Sequence, residues 1–220
     1  MFGGQFKVPI VIRAVGGGGR QLGATHSQTP DVIFAHFPGI KVIAPGTPYD
    51  AKGLLKSAIR GDDPVMFIEH ATLYQTRGEV PDEDYVVPIG VSKVQRPGRD
   101  VTLVTYSKML QVSLQAAEQL SAEGIEVEVV DLRTLRPLDM NPVIESFKRT
   151  NRAVVVEEGW GSYGIGSEIV SRIYEQAFDY VDAPIKRVAQ QEVPLPYNRE
   201  LEQLALPQLE DVVEAVKEVL

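Results

Sequence analysis

Apolar and polar positions alternate along this chain in two rhythms that take turns. Short runs rich in β-branched residues, such as Val8 to Ile12, Ile40 to Ile43 and Pro64 to Ile68, read as buried strands. Between the last two, Ala51, Leu54, Leu55, Ala58 and Ile59 recur with helical period. Thr47 as N-cap, Pro48 at the first helical position and Asp50 in the first turn open that helix, and Gly61 stops it. Farther on, Gly90 to Arg96 and Val101 to Tyr106 read as strands of a hairpin around Pro97-Gly98-Arg99-Asp100. Ser107 is expected to cap a helix that ends at Gly124. Strands at Ile125 to Val130, Ala153 to Val156 and Ile185 to Val188 then alternate with helices at Pro142 to Lys148 and Ile165 to Phe178. An amphipathic helix with Leu209, Val212, Val213, Val216 and Leu220 closes the chain. The alternation predicts an α/β fold with mostly parallel sheets covered on both faces.

The stretch 75–88, QTRGEVPDEDYVVP, is acidic, Pro-punctuated and without period, and marks a boundary. The expected organisation is one domain over 1–80, a linker over 81–89 and a second domain over 90–220. The first strand stands at the very start with nothing before it to make a neighbouring layer. The expectation is that the chain begins inside its first domain.

Composition narrows the chemistry. With 44% hydrophobic and 24% charged residues over 220 positions, the chain can bury a real core. Its net charge of −8 and lack of a basic run argue against nucleic acid or an anionic membrane as partner. No apolar stretch reaches the ~18 residues of a membrane span, and the opening MFGGQFKVPIVIRA is not a signal peptide. The absence of cysteine excludes disulfides, thiolate metal sites and cysteine nucleophiles.

Three histidines remain: His26, His36 and His70. His26 follows the glycines Gly16 to Gly19 and Gly23, where backbone freedom lets a ligand approach, and is a candidate acid–base group. The plainer reading, a structural loop histidine, stays open. His36 and His70 lie among apolar neighbours and read as structural. Gly159 to Gly164 spells G-x-G-x-x-G between a strand and a helix, yet no acid ends the next strand, so a tight turn is preferred to a nucleotide site. Paired acids such as Asp62-Asp63 and Glu157-Glu158 are expected on solvated faces or helix ends.

Longer segments are more specific. Pro9 to Arg13, G-A-T-H-S-Q (Gly23–Gln28), H-F-P-G-I-K-V-I-A-P (His36–Pro45) and D-A-K-G-L-L-K-S-A-I-R (Asp50–Arg60) occur in this order. After them come D-V-T-L-V-T-Y-S (Asp100–Ser107), V-V-D-L-R-T-L-R-P-L-D (Val129–Asp139), E-E-G-W-G-S-Y-G-I-G-S-E-I (Glu157–Ile169) and D-A-P-I-K-R-V (Asp182–Val188). In order and spacing the chain resembles the beta subunits of thiamine-diphosphate-dependent 2-oxo acid dehydrogenases over its whole length. The wording around Asp139-Met140 and Glu158-Gly159-Trp160 is nearer the pyruvate enzymes than the branched-chain ones.

The resemblance implies part of a pyrimidine-type thiamine-diphosphate-binding domain, followed by a transketolase C-terminal-like three-layer α/β/α domain. It implies oxidative decarboxylation of pyruvate and acetyl transfer to a lipoyl group, on the route from glycolysis to acetyl-CoA. His26 matches the family's active-site histidine, with Ser27 and Gln28 fixing its loop. The implied partners are an alpha subunit that binds the diphosphate and its magnesium, a second beta subunit completing a heterotetramer, and a lipoyl-bearing dihydrolipoamide acyltransferase core. A potassium ion would be held by backbone carbonyls at Ile10, Ala58, Ile59, Gly61 and Asp63, although Gly61 and Asp63 stand where relatives often carry Asp and Asn. The glutamate that contacts the cofactor is expected upstream of Met1, so the isolated chain is expected to be inactive. The implied compartment is the cytoplasm in a bacterium, and the mitochondrial matrix or a plastid in a eukaryote. A branched-chain beta subunit and a non-catalytic docking fragment remain as alternative readings.

Overall fold

The computed structural model describes residues 4–220; the first three positions of the opening segment lie outside the described residues. The elements run β1 (Val11–Gly16), α1 (Asp31–His36), β2 (Lys41–Ile43), α2 (Pro48–Arg60) and β3 (Val65–His70). Next come β4 (Lys93–Arg96), β5 (Val101–Thr105), α3 (Lys108–Ala122), β6 (Val127–Asp131), β7 (Thr134–Arg136) and α4 (Asn141–Thr150). The chain closes with β8 (Ala153–Trp160), α5 (Ile165–Ala177), β9 (Lys186–Gln190), α6 (Arg199–Ala205) and α7 (Leu209–Glu218).

Two sheets result, ordered β1-β3-β2-β7 and β4-β6-β5-β8-β9. β1, β3 and β2 are parallel, as are β6, β5, β8 and β9, so the expected α/β architecture holds. α2 is built as its sequence requires: the Thr47 hydroxyl accepts the Asp50 amide at 3.1 Å, and Pro48 opens the first turn.

The hairpin expected around Pro97 to Asp100 does not form. β4 pairs antiparallel with β6, and β5 lies on the far side of β6. Every residue of β5 is buried, so that strand needs a neighbour on each edge, whereas half-exposed β4 suits the sheet margin. The turn instead crosses the start of β6, where the amides of Arg99 and Asp100 both reach the Glu126 carbonyl at 2.9 Å. Ser107 also departs from expectation, since it stands at φ 52 and its hydroxyl makes no cap bond.

The two halves share structure. β7 leaves the second half and pairs antiparallel with β2 of the first. Arg133, just before β7, places its guanidinium 2.7 Å from the Asp50 carboxylate of α2, both buried. One hydrophobic core runs between the sheets and joins Val42, Ala44 and Ile68 to Val104, Leu132 and Phe147. A second packs Leu110, Leu120 and Val216 of α3 and α7 on the outer face of the five-stranded sheet. Each such side chain, fully buried, contributes roughly 1.5–3 kcal/mol. The acidic stretch before β4 is not loose either: Tyr85 stacks on Tyr49 at 4.6 Å, and Arg60 and Lys56 hold Asp84.

Candidate active site

The loop carrying His26 begins where β1 ends beside the last residue of β3, with Gly16 opposite His70. Gly17 then turns at φ +88, its amide donating to the Gln28 carbonyl at 3.1 Å. It presses so closely on the His70 ring that a methyl group there would overlap the imidazole. Gln28 closes the loop by donating its side-chain amide to the Ala24 carbonyl at 3.0 Å. His26 stands exposed between them. Its Nδ1 lies 2.8 Å from the Thr25 hydroxyl, and its Nε2 has no hydrogen-bond partner among the described residues. An imidazole with one nitrogen oriented and the other open can accept and return a proton.

Ser27, next to it, is turned inward, and its hydroxyl is buried without a partner among the described residues, as is that of Thr29. Both line a cavity of about 170 Å³ with Ala24, Gln28, Trp160 and Leu195. Orphaned hydroxyls beside an indole and a leucine fit a ligand with a polar edge and an apolar face. The space is too small for a whole dinucleotide-sized cofactor, whose pockets run to ~300 Å³ or more.

The acids at the end of β8 are not solvated, contrary to expectation: Glu157 is 1% and Glu158 6% exposed. Glu158 takes a 2.8 Å hydrogen bond from His70 Nε2. The Thr72 amide donates to His70 Nδ1 at 3.2 Å, which assigns the ring proton to Nε2. His70 is therefore a satisfied buried histidine, in line with its structural reading. Burial pushes Glu158 upward, but the hydrogen bond from His70, the Gly18 amide and the charge of Lys108 outweigh it and hold the carboxyl below its ordinary value. His36 is exposed and sits edge-on to Phe37.

Glu157 fills the G-x-G-x-x-G turn. Its Oε1 accepts the Gly166 amide at 3.0 Å, and a side chain on Gly164 would begin only 2.6 Å from that oxygen. A protein carboxylate thus occupies the place a phosphate would take at the start of α5, which agrees with the tight-turn reading. Burial raises Glu157 to about 8, reinforced by the Asp31 charge. Asp31, with Tyr106 donating to it at 2.6 Å, is raised by burial to about 6. Asp131, beneath Arg133, is raised by burial to about 7.

These three folded-state acids keep protons that the unfolded chain has already released. Their stability contribution is complete below pH ~4 and is lost as pH rises through about 6, 7 and 8. Glu158, held low, is already ionised in that range. The melting temperature is expected to fall between pH 5.5 and 8.5, and Glu157→Gln, which still accepts the Gly166 amide, is expected to flatten the upper part of the curve. Parallel curves for the two proteins in a thermal scan would contradict this assignment.

The residues expected to hold potassium come together at one end of the first sheet. The Val8 amide reaches the Asp62 carbonyl and the Val65 amide the Ile10 carbonyl, at 2.9 and 2.8 Å. α2 ends there with Gly61 extended, and the Ala58 carbonyl accepts only a long 3.3 Å bond from the Gly61 amide. Last-turn carbonyls at the negative end of a helix suit a hard monovalent cation. The Asp63 carboxylate is paired with Lys41 at 2.8 Å, and Ile59 is exposed. Among the described residues no group of three or more His, Cys, Asp or Glu could hold a metal ion, and no helix is long and apolar enough to cross a membrane.

Residues 1–77 match the family described as transketolase, pyrimidine binding domain, and residues 90–212 match transketolase, C-terminal domain. Pyruvate dehydrogenase E1 component subunit beta of Rhizobium meliloti is 49% identical over 220 residues, 100% of this chain and 48% of that protein. The protein of the same name from Rickettsia felis is 48% identical over 219 residues, 100% of this chain and 67% of its own length. A solved structure, a split gene transketolase described as an inactive beta4 tetramer, superposes with a TM-score of 0.80 at 27% identity, covering 97% of this chain and 67% of that one. The chain thus spans between about half and two thirds of the relatives it matches.

Proposed function

Because the chain belongs to the family of pyruvate dehydrogenase E1 beta subunits, built from transketolase pyrimidine-binding and C-terminal domains, we propose that it serves the decarboxylating component of a pyruvate dehydrogenase complex. The reaction is decarboxylation of pyruvate followed by acetyl transfer to the lipoyl group of a dihydrolipoamide acyltransferase core. Residues 1–80 act as the pyrimidine side of the cofactor site, 81–89 as linker and 90–220 as the C-terminal domain. An alpha subunit supplies the diphosphate and magnesium site, and a second beta subunit completes a heterotetramer.

One observation carries this reading. His26 offers an open Nε2 while its neighbours Ala24, Ser27 and Gln28 line a cavity with unpaired hydroxyls. Thiamine diphosphate, when bound, would supply the electron sink that decarboxylation of a 2-oxo acid needs. The Ser27 and Thr29 hydroxyls and the Trp160 ring would meet part of a bound ligand, and the remaining contacts would come from the alpha subunit. His26 delivers or withdraws a proton at Nε2 while Thr25 orients the ring through Nδ1. The carbonyls at Ile10, Ala58, Ile59, Gly61 and Asp63 are proposed to hold a potassium ion that ties the end of α2 to the strand starts. The compartment follows the host: cytoplasm in a bacterium, mitochondrial matrix or plastid in a eukaryote.

Co-expression of the full-length chain with its alpha subunit tests the function. Thiamine-diphosphate-dependent release of CO2 from pyruvate is expected, with kcat/KM above that for a branched-chain 2-oxo acid. The reverse preference would make the substrate branched-chain, and no turnover of either acid would overturn the proposal.

A further inference from the structure

The segment between β1 and His26 is gripped by two buried carboxylates from the far half of the chain. The Gly18 amide donates to Glu158 Oε1 at 2.8 Å. The Gln21 amide donates to Glu202 at 3.1 Å, and the Gln21 side-chain amide reaches the same carboxylate at 2.7 Å. Glu202, on α6, is 0% exposed and has no cationic partner among the described residues. Among the described residues every hydrogen bond to its carboxylate comes from Gln21.

Burying a carboxylate without a cation is costly unless strong hydrogen bonds compensate. Amides donated to a charged oxygen are about twice as strong as neutral pairs, and they set direction. The hydrogen bonds of the Glu202 carboxylate go to Gln21 of the first half and not to α6 itself, so the acid's effect lies in what it holds. A second contact agrees: Gly23, at φ +71 and three residues before His26, lies flat against the Tyr197 ring from the loop that leads into α6. The His26 loop is therefore docked on residues 195–206 at its middle and on Glu158 at its start, and no element of its own half supplies those contacts.

We propose that Glu202, together with Glu158, is a positioning residue for His26: the C-terminal half sets where the imidazole points by holding the amides of Gly18 and Gln21. This inference rests on the proposed role of His26. Misplacing a catalytic group by about 1 Å can cost on the order of 100-fold.

The experiment compares Glu202→Met, which keeps length but cannot accept, with the conservative Glu202→Gln, which can. Gln21→Asn shortens the donor without touching the core and serves should Glu202→Met fail to fold. Amide hydrogen exchange of residues 16–28 is measured on the full-length chain, and kcat and KM on the enzyme assembled with the alpha subunit. Glu202→Met and Gln21→Asn are expected to speed exchange in that segment and to lower kcat about 10- to 100-fold with KM little changed. Glu202→Gln is expected to retain both properties. Unchanged exchange in Glu202→Met, or equal loss in Glu202→Gln, overturns the proposal. Faster exchange with unchanged kcat is also decisive. If His26→Ala is harmful, the positioning role fails; if His26→Ala is harmless, the catalytic reading of His26 fails.

Discussion

His26→Ala is expected to lower kcat of the assembled enzyme about 10²- to 10⁴-fold, the range of a lost proton-transfer group, while its melting temperature stays that of the parent. The two halves of this expectation have separate grounds. The imidazole is exposed, and among the described residues its one side-chain hydrogen bond is with the neighbouring Thr25 hydroxyl. An exposed hydrogen bond of that kind contributes at most ~1 kcal/mol. The loop keeps its shape through Gln28 and the glycine amides, none of which touches the imidazole. Steady-state decarboxylation and a thermal scan on the same preparation check both halves. A loss below about threefold would remove His26 from the proton-transfer step, and a large drop in melting temperature would make it a structural residue.

The largest effect on stability is expected at Arg133→Met. The guanidinium lies in the connection between β6 and β7 and meets Asp50 of α2, 8% and 1% exposed at their side chains. Losing it leaves the Asp50 carboxylate buried with the Thr47 hydroxyl as its remaining side-chain donor, at 2.7 Å. It also removes a positive charge that holds down Asp131, already raised to about 7 by burial. Breaking a buried pair from one side costs about 3–5 kcal/mol, more than the pair itself contributes. At ~2–4 °C per kcal/mol for a chain of this size, the melting temperature should fall by roughly 6–20 °C. Asp50→Asn added to Arg133→Met should recover part of the loss, because an amide carries no charge to desolvate. An unfolding free energy from urea titration within ~1 kcal/mol of the parent would show that the two halves dock without this pair.

α2 was legible residue by residue, because Thr47, Pro48, Asp50 and Gly61 act on their own neighbours and the apolar period states which face is buried. Three short elements, α1, β7 and α6, were not anticipated, since segments of 6, 3 and 7 residues are too short to show a period. The hairpin expectation failed for a related reason. A Pro-Gly turn between two strands says that the chain bends, but which strand lies beside β5 depends on how every one of its residues becomes buried. The site divides in the same way. His26 stood out through its loop chemistry and through the family resemblance. Glu157 and Glu158 are legible in the sequence only as an acid pair closing the apolar run Ala153 to Val156, and their burial follows from the strand running on past that run.

What the amino-acid sequence determined by itself was therefore the alternation of strands and helices, the caps of α2, the family and the candidate imidazole. Each of these is read from short local stretches, the caps and the imidazole's loop within a few residues and the family as a series of such stretches in order along the chain. Only the tertiary structure decided which acids are buried and what they hold. Glu158 meets His70 across 88 residues and Gly18 across 140, and Glu202 meets Gln21 across 181. A carboxylate's surroundings are set by whichever segments the fold brings to it, and no local pattern records partners that distant.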